Sequence, residues 1–463
     1  MNKLLIANRG EIACRIIRAA QSIGIPTVAV YSKADEDALH VKLADEARFV
    51  GGPQAKESYL NQEAVLFAAR EVGANLIHPG YGFLAENAEF ADRCARAGIV
   101  FVGPKPETIL AMGDKHRARQ MAVAAGVPVL PGSDKLSDDQ EEIIAAGAKI
   151  GFPLLVKATA GGGGIGMRLV ERSEDLIAAV TATSGLAVRA FGDGAVYCER
   201  YVRTARHVEV QVFGFGNGEA VHLFDRDCSV QRRHQKVIEE ALAPGLSECT
   251  REEMARVSVN LAASCRYDGA GTIEFLYDAE RQEFYFLEMN TRIQVEHGVT
   301  ELVTGVDLVA AQIEHALGRD VASALSQSAI KASGHAVEAR IYAENPSRKF
   351  FPSPGKITHL SVPHMAGVRV DTGLVSGATV PPFYDPMVMK VMALGQTRSD
   401  AIGLLSSALS QIEIGGIATN KDYLRAIITH PKFESAELST SFLDAHHDEL
   451  IAQATSSSEM AKA

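Results

Sequence analysis

Cysteine chemistry, membrane spans and excess basic charge are all missing from this chain of 463 residues. Its six cysteines (Cys14, Cys94, Cys198, Cys228, Cys249, Cys265) form no C-x-x-C pair and no zinc-type spacing. With no disulfide framework in view, a reducing compartment is expected. No apolar run reaches membrane-spanning length. The start of the chain lacks the apolar core and cleavage site of a signal peptide, so a cytoplasmic location is expected. Lys and Arg number 46 against 57 Asp and Glu, a formal charge of −11, which disfavours a general nucleic-acid or anionic-membrane surface. The turn after the first apolar segment, Ala7-Asn-Arg-Gly-Glu, lacks the G-x-G-x-x-G of a dinucleotide fold. No G-x-x-x-x-G-K-[ST] occurs, which excludes a Walker-type ATPase. Internal repeats and long low-complexity segments are absent too.

What is present reads as a multidomain globular protein, 47% apolar and 22% charged, long enough for two to four domains. Residues 3–112 alternate short apolar strands (Lys3–Asn8, Thr27–Tyr31, Asn75–His78, Ile99–Val102) with helical stretches (Glu11–Ile23, Gln62–Val72). That alternation predicts a doubly wound parallel sheet. A helix from about Asp114 to Ala125 leads through a Pro/Gly-rich stretch into a small α+β unit, residues 131–203. A larger unit runs to about residue 330. Residues 331–446 read as β-rich, and 447–463 as a tail whose last residues, Ala452–Ala463, lack periodicity and are expected to fray.

The richest stretch runs from Glu274 to Glu296. A strand, Thr272 to Asp278, turns through Ala279–Gln282 and returns from Glu283. In a register pairing Glu274 with an even-numbered residue, Glu274 and Glu288 share a face. Beyond Glu288 the alternate residues are Asn290, Arg292, Gln294 and Glu296, so one face of an extended segment carries carboxylates, amides and a guanidinium. Alternation alone means only an amphipathic strand. The residue types say more. Two carboxylates and an amide oxygen suit Mg²⁺, Arg292 offers a planar fork to a small oxyanion, and Glu296 can take a proton from it.

Other segments support a nucleotide. Ala160-Gly-Gly-Gly-Gly-Ile-Gly follows the strand Leu154–Ala158 and precedes a returning strand, so it reads as a hairpin with a glycine tip whose N–H groups can approach phosphate oxygens. Lys115 and Lys157 flank it. Asp225 to Glu240 is the densest polar cluster, able to offer Lys236 to an anion and His234 to a phosphate or ribose. Charge runs are usually solvated faces, and the spacing leaves both readings open. Glu338 and Arg340 share a face of a strand, where a surface ion pair adds little. Val388-Met-Lys-Val-Met392 is superficially like the tetrapeptide whose lysine carries biotin, but it reads as an apolar strand with no carrier domain around it.

Together the motifs His78-Pro-Gly-Tyr-Gly-Phe-Leu-x-Glu-Asn, Arg226-Asp-Cys-Ser-x-Gln-Arg-Arg-His-Gln-Lys and Glu288-Met-Asn-Thr-Arg-Ile-Gln-Val-Glu-His make the chain resemble biotin carboxylases from Ile6 to about residue 446. The resemblance implies a Rossmann-like N-terminal domain (1–112), a central ATP-grasp fold (113–330) with a mobile glycine-flap subdomain, and a β-rich biotin carboxylase C-terminal domain (331–446). It implies that Lys115, Lys157, Gly163, Gly164, Glu199, Arg200, Tyr201, Val202, His207, Gln231 and His234 hold ATP. Glu274, Glu288 and Asn290 would ligate Mg²⁺ or Mn²⁺. Lys236, Arg292, Gln294 and Val295 would hold bicarbonate, Glu296 would deprotonate it, and Arg340 would steady the enolate form of biotin's ureido group.

The implied activity is ATP- and bicarbonate-dependent carboxylation of biotin through carboxyphosphate. The implied partners are a separate biotin carboxyl carrier protein and a carboxyltransferase, as in the acetyl-CoA carboxylase of fatty acid biosynthesis, with a homodimer common in the family. The chain departs from the family pattern at Ile165, where most members have Arg or Lys and urea carboxylases have Ile, and at Leu242 and Gly298, where Pro is usual. Two alternatives stay open: another ATP-grasp ligase that passes an acyl or carbamoyl phosphate to an amine, and an inactive structural paralogue.

Overall fold

The computed structural model describes residues 2–159, 167–191, 193–233 and 235–460. The expectations for Gly163, Gly164, Ile165 and His234 lie outside them. The chain divides into two compact units, one of residues 1–127, 206–276 and 287–463, the other of 128–205 and 277–286.

The first unit opens with five parallel strands in the order Glu46–Gly51, Thr27–Ser32, Leu4–Ile6, Leu76–His78, Val100–Phe101. The first strand shows why both faces carry helices. Leu4 and Ile6 point into a core with Ile12, Ile16 and Ile17 of the helix Gly10–Ser22. Leu5 and Ala7 point into another with Val65, Leu66 and Phe90 of the helices Gln62–Glu71 and Ala88–Arg96. A strand buried on both sides has no polar alternation, which is the signature of a doubly wound sheet. The strand order reverses at Leu4–Ile6, and ligand crevices in such sheets open at the strand ends beside that point. Asn8-Arg-Gly and His78-Pro-Gly-Tyr stand there.

An eight-stranded sheet forms the rest of the frame. Its order is Glu283–Asn290, Asp268–Asp278, Ala205–Phe215, Ala220–Arg232, Gln235–Ala241, His335–Tyr342, Met387–Gly395, Val368–Thr372. The hairpin expected around Ala279–Gln282 is present. The C-terminal strands extend this sheet: His335–Tyr342 pairs antiparallel with Gln235–Ala241, with Ile238 opposite Ala339. Helices Arg398–Gln411 and Lys421–Ile428 share an apolar core with these strands, and Thr397 and Asp400 form a capping box at the start of the first.

The second unit has a three-stranded antiparallel sheet, Met167–Val170, Leu154–Ala158, Val196–Arg200. Helices Gln140–Ile150 and Leu176–Phe191 bury Ile143, Ile150, Leu176 and Val180 with Leu154 and Val156 of the sheet.

Two expectations are corrected. The tail does not fray from Ala452: a helix spans His447–Met460, with Leu450 and Ala454 in the C-terminal core. Alanine and small polar residues draw no apolar stripe, and here Thr455 and Ser456 return their hydroxyls to the carbonyls of Ile451 and Ala452, so tertiary packing of Leu450 decides. The extended face beyond Glu288 ends at Asn290. Residues 291–296 lie outside any strand, and Glu296 stands just before the helix His297–Thr304 without a capping side-chain bond. Among the described residues no helix is long and apolar enough to cross a membrane.

Candidate active site

The charge cluster of 225–240 is a buried hairpin, not a solvated face. Strand Ala220–Arg232 returns as Gln235–Ala241 with Gln231 opposite Lys236, which places those two side chains on one face. Lys236 Nζ donates to Glu209 Oε2 at 2.6 Å, to Glu274 Oε1 at 2.9 Å and to Glu296 Oε1 at 2.6 Å. Three carboxylates from three parts of the sequence thus meet on one ammonium. Burial would lower the Lys236 pKa, but Cys228, Glu209, Glu296 and Glu274 outweigh it and hold the group well above the usual lysine range.

Glu296 is fixed on its other oxygen by Arg340, whose Nη2 donates to Oε2 at 2.9 Å and also pairs with Glu239 Oε1 at 2.6 Å. The Glu338–Arg340 strand is therefore interior, and the weak surface pair expected there is replaced by buried charge. Burial raises the Glu296 pKa, yet Lys236, Arg340 and Arg226 together pull it well below the ordinary carboxylate value. Glu274 behaves likewise: burial raises it, and Lys236 and His207 bring it down. His207 Nε2 lies 3.1 Å from Glu274 Oε2.

Gln294 links this group to a residue that pattern reading passed over. Its Nε2 donates to Glu274 Oε1 at 2.8 Å, and its Oε1 accepts from Arg226 Nη2 at 2.7 Å. Arg226 is wholly buried and spends its remaining donors on Glu209, Gln211, Thr300 and Thr272. Glu209 was also missed. It stands two residues after His207 on one strand and directly opposite Arg226 on the next, a cross-strand pairing visible only in the register.

Two cavities are lined by Arg292 or by the residues it bonds. One of about 250 Å³ is lined by Lys115, Glu86, Glu288 and Asn290. The other, about 540 Å³, takes Arg292, Val295, Arg340 and Gln235 on one side and Tyr81, Phe83, Phe383 and Tyr384 among its aromatic walls. It opens where the parallel sheet reverses order. Tyr81 and Phe83 lie in the motif His78-Pro-Gly-Tyr-Gly-Phe, whereas Phe383 and Tyr384 carried no sequence signal, because the fold brings them from a distant segment. Arg292 Nε donates to Glu86 Oε2 at 2.8 Å and Nη2 to Asn290 Oδ1 at 2.9 Å.

The donor set fits a divalent cation. Burial first, and then the charge of Glu274, push the Glu288 pKa up. A buried carboxylate disfavoured by its neighbour's charge, with the buried Asn290 amide on the same strand, offers hard oxygens to a site that a cation relieves.

In the second unit, Lys157 Nζ bonds Glu199 Oε2. The Arg200 side chain is committed to the fold: it donates to the Ile150 carbonyl at 3.0 and 3.2 Å and to Tyr285 Oη at 3.0 Å. Tyr201 N–H donates to the Pro153 carbonyl at 3.0 Å, and Val202 is buried. At Gly298 a Cβ would come within 2.2 Å of Met392 Sδ, so Met392 fills the room a proline ring would need. The Ala241–Leu242 peptide is cis.

A carboxylate- and lysine-bearing antiparallel sheet, in a chain that also carries a small α+β unit with Lys157 before a glycine run, defines an ATP-grasp ligase. Residues 1–109 match the family described as "Biotin carboxylase, N-terminal domain", residues 114–324 "Carbamoyl-phosphate synthase L chain, ATP binding domain", and residues 338–445 "Biotin carboxylase C-terminal domain". Biotin carboxylase 1 of Bacillus subtilis (strain 168) is 48% identical over 446 residues, 96% of this chain and 99% of that one. The mitochondrial methylcrotonoyl-CoA carboxylase subunit alpha of Dictyostelium discoideum is 48% identical over 453 residues, and the chain spans 98% of itself and 64% of that protein. The crystal structure of the Hydrogenobacter thermophilus 2-oxoglutarate carboxylase biotin carboxylase domain dimer, with MgADP, ADP and bicarbonate, superposes with a TM-score of 0.84 at 43% identity, covering 96% of this chain and 97% of that one. The chain belongs to the biotin carboxylase family, ATP-dependent ligases that perform the biotin carboxylase function of a carboxylase.

Proposed function

We propose that this chain carboxylates biotin borne on a separate carrier protein, using bicarbonate and ATP, and that a separate transferase chooses the final acceptor. The observation that carries the assignment of roles is the convergence of Lys236 and Arg340 on the two oxygens of Glu296. A carboxylate held so far below its ordinary pKa is ionised at any working pH and a weak base. Bicarbonate arriving beside Lys236, Arg292 and Gln294 competes for the Lys236 ammonium, and each bond Glu296 gives up raises its basicity where a proton must be taken. The deprotonated oxygen attacks the γ-phosphate of ATP to give carboxyphosphate and ADP.

Lys115, Lys157, the 199–202 segment, His207 and Gln231, together with Gly163, Gly164 and His234 outside the described residues, are assigned to ATP. Glu274, Glu288 and Asn290 would hold Mg²⁺ or Mn²⁺, which would offset phosphate charge. The 540 Å³ cavity suits a bicyclic ureide: aromatic walls for its rings, and Arg340 for the oxygen that gains charge when the ureido nitrogen loses its proton. This reading takes domain limits of 1–112, 113–330 and 331–446. Acetyl-CoA carboxylation in fatty acid biosynthesis, a homodimer and a cytoplasmic location remain part of the proposal. The test is ADP release by the purified chain with ATP, Mg²⁺ and bicarbonate, with and without free biotin. Stimulation by biotin that requires bicarbonate supports it. ATP use indifferent to biotin but driven by an amine would replace it with another ATP-grasp ligase.

A further inference from the structure

Strand Met387–Gly395 carries one lysine, and no part of the Lys390 side chain reaches solvent. An ammonium in such a place is costly unless it has partners. The nearest carboxylates are not close: Glu11 Oε1 is 3.6 Å from Nζ and Asp371 Oδ2 is 3.8 Å. Glu338 and Arg369 act on it from neighbouring strands. The one short hydrogen bond from Nζ, 2.6 Å, goes to the Val295 carbonyl. Its place on a strand was predicted from the apolar run around it; its partner was not.

That carbonyl sits between the two residues on which the site turns. Residues 291–296 have no ladder or helix to fix their peptides. Side chains must do it, since irregular backbone in a buried place has polar groups to satisfy. Arg226 fixes Gln294, and Lys236 and Arg340 fix Glu296. Lys390 holds the peptide that joins them. The same ammonium faces Glu11, whose carboxylate takes the Tyr81 hydroxyl, and Tyr81 lines the 540 Å³ cavity beside Val295.

We propose that Lys390 is a positioning residue for the bicarbonate site: its ammonium fixes the Val295 peptide, and through it the mutual placement of Gln294 and Glu296. The proposal rests on the reading that Gln294 and Val295 hold bicarbonate. A compact ammonium can aim one donor at a carbonyl within a closed space, whereas a guanidinium is a wide planar fork. Charge and placement can therefore be separated by substitution.

The experiment compares wild type, Lys390→Met and Lys390→Arg in ADP release, with KM measured for bicarbonate and for ATP and thermal unfolding followed alongside. The expected result is a rise of about 10- to 100-fold in the bicarbonate KM of Lys390→Met, the scale of one hydrogen bond to a charged group, with the ATP KM within about 2-fold. Lys390→Arg restores the unfolding temperature and leaves the bicarbonate KM raised. A KM does not depend on how much of a preparation is folded, so low yield does not blur the comparison. Unchanged bicarbonate KM in both variants, full recovery of it in Lys390→Arg, or failure of both variants to fold would make Lys390 a structural charge only and overturn the proposal. Gln294→Ala is run in parallel. An unchanged bicarbonate KM there refutes the reading of the site itself, whereas a raised one with normal Lys390 variants refutes the role of Lys390 alone.

Discussion

Arg226 Nη2 lies 2.7 Å from Gln294 Oε1, and this contact decides which way the Gln294 amide faces: its oxygen must meet the guanidinium, so its nitrogen meets Glu274. The five N–H donors of Arg226 all have acceptors within 3.1 Å, on Glu209, Gln211, Thr300, Thr272 and Gln294. No other side chain fills that pattern. Arg226→Met leaves Glu209 with one partner fewer in a closed site and is expected to cost about 3–5 kcal/mol of stability. Arg226→Lys, with the charge but not the fork, should recover less than half of that in denaturant unfolding. Full recovery by lysine would show that charge alone matters there.

Glu296→Gln removes the proposed base while keeping its size. Bicarbonate-dependent ADP release should fall by about 10²- to 10⁴-fold, the usual weight of a general base. ATP binding, followed by protection against thermal unfolding, should persist, because none of the proposed nucleotide contacts is lost. Near-normal turnover would remove Glu296 from the base role and direct attention to Glu274 or Glu209, which share its ammonium.

Legibility in the sequence followed the source of each signal. The parallel sheet and the hairpin around Ala279–Gln282 were readable because apolar runs and turns are local. The even-numbered face from Glu288 to Glu296 is a strand face only in part: the strand stops at Asn290, and Arg292, Gln294 and Glu296 are held in place by side-chain bonds. The places of Glu209, Arg226, Lys390 and Tyr384 could not be read from spacing. Each owes its place to strand register or loop convergence between distant segments, and a buried Arg or Lys looks on paper like a surface one.

Glu338 and Glu239 stand directly opposite each other on adjacent strands, both buried. Burial raises the Glu338 pKa well above the ordinary value; Lys390 and Arg340 pull it down, while Glu239 and Glu296 push it further up. In the unfolded chain the same group titrates near about 4.3. Between those values the folded protein keeps a proton that the unfolded chain has lost, so stability falls as pH rises through the window. Glu338→Gln cannot titrate. Its stability relative to wild type should therefore increase from pH 4 towards pH 8 and level off once the native Glu338 has ionised. A difference between the two proteins that stays flat with pH would mean that Glu338 is ionised in the native state throughout.

The C-terminal helix makes the last test. Leu450 is fully buried against a core that includes Tyr423, Leu424 and Ile427 of the helix Lys421–Ile428, and Gln453 Nε2 donates to Thr429 Oγ1 at 3.1 Å. If the segment were a frayed tail, Leu450→Ala would be neutral. Packed as it is, the substitution removes buried methyl groups and leaves a cavity, for a cost of about 2–5 kcal/mol in denaturant unfolding. Thr455 and Ser456 changed to Ala serve as the control, since both side chains are exposed, and should stay within about 0.5 kcal/mol. Leu450→Ala should leave the KM for ATP and bicarbonate unaltered, because its contacts are with the helices behind the sheet. A change in either KM without loss of stability would contradict this assignment of the helix to the core alone.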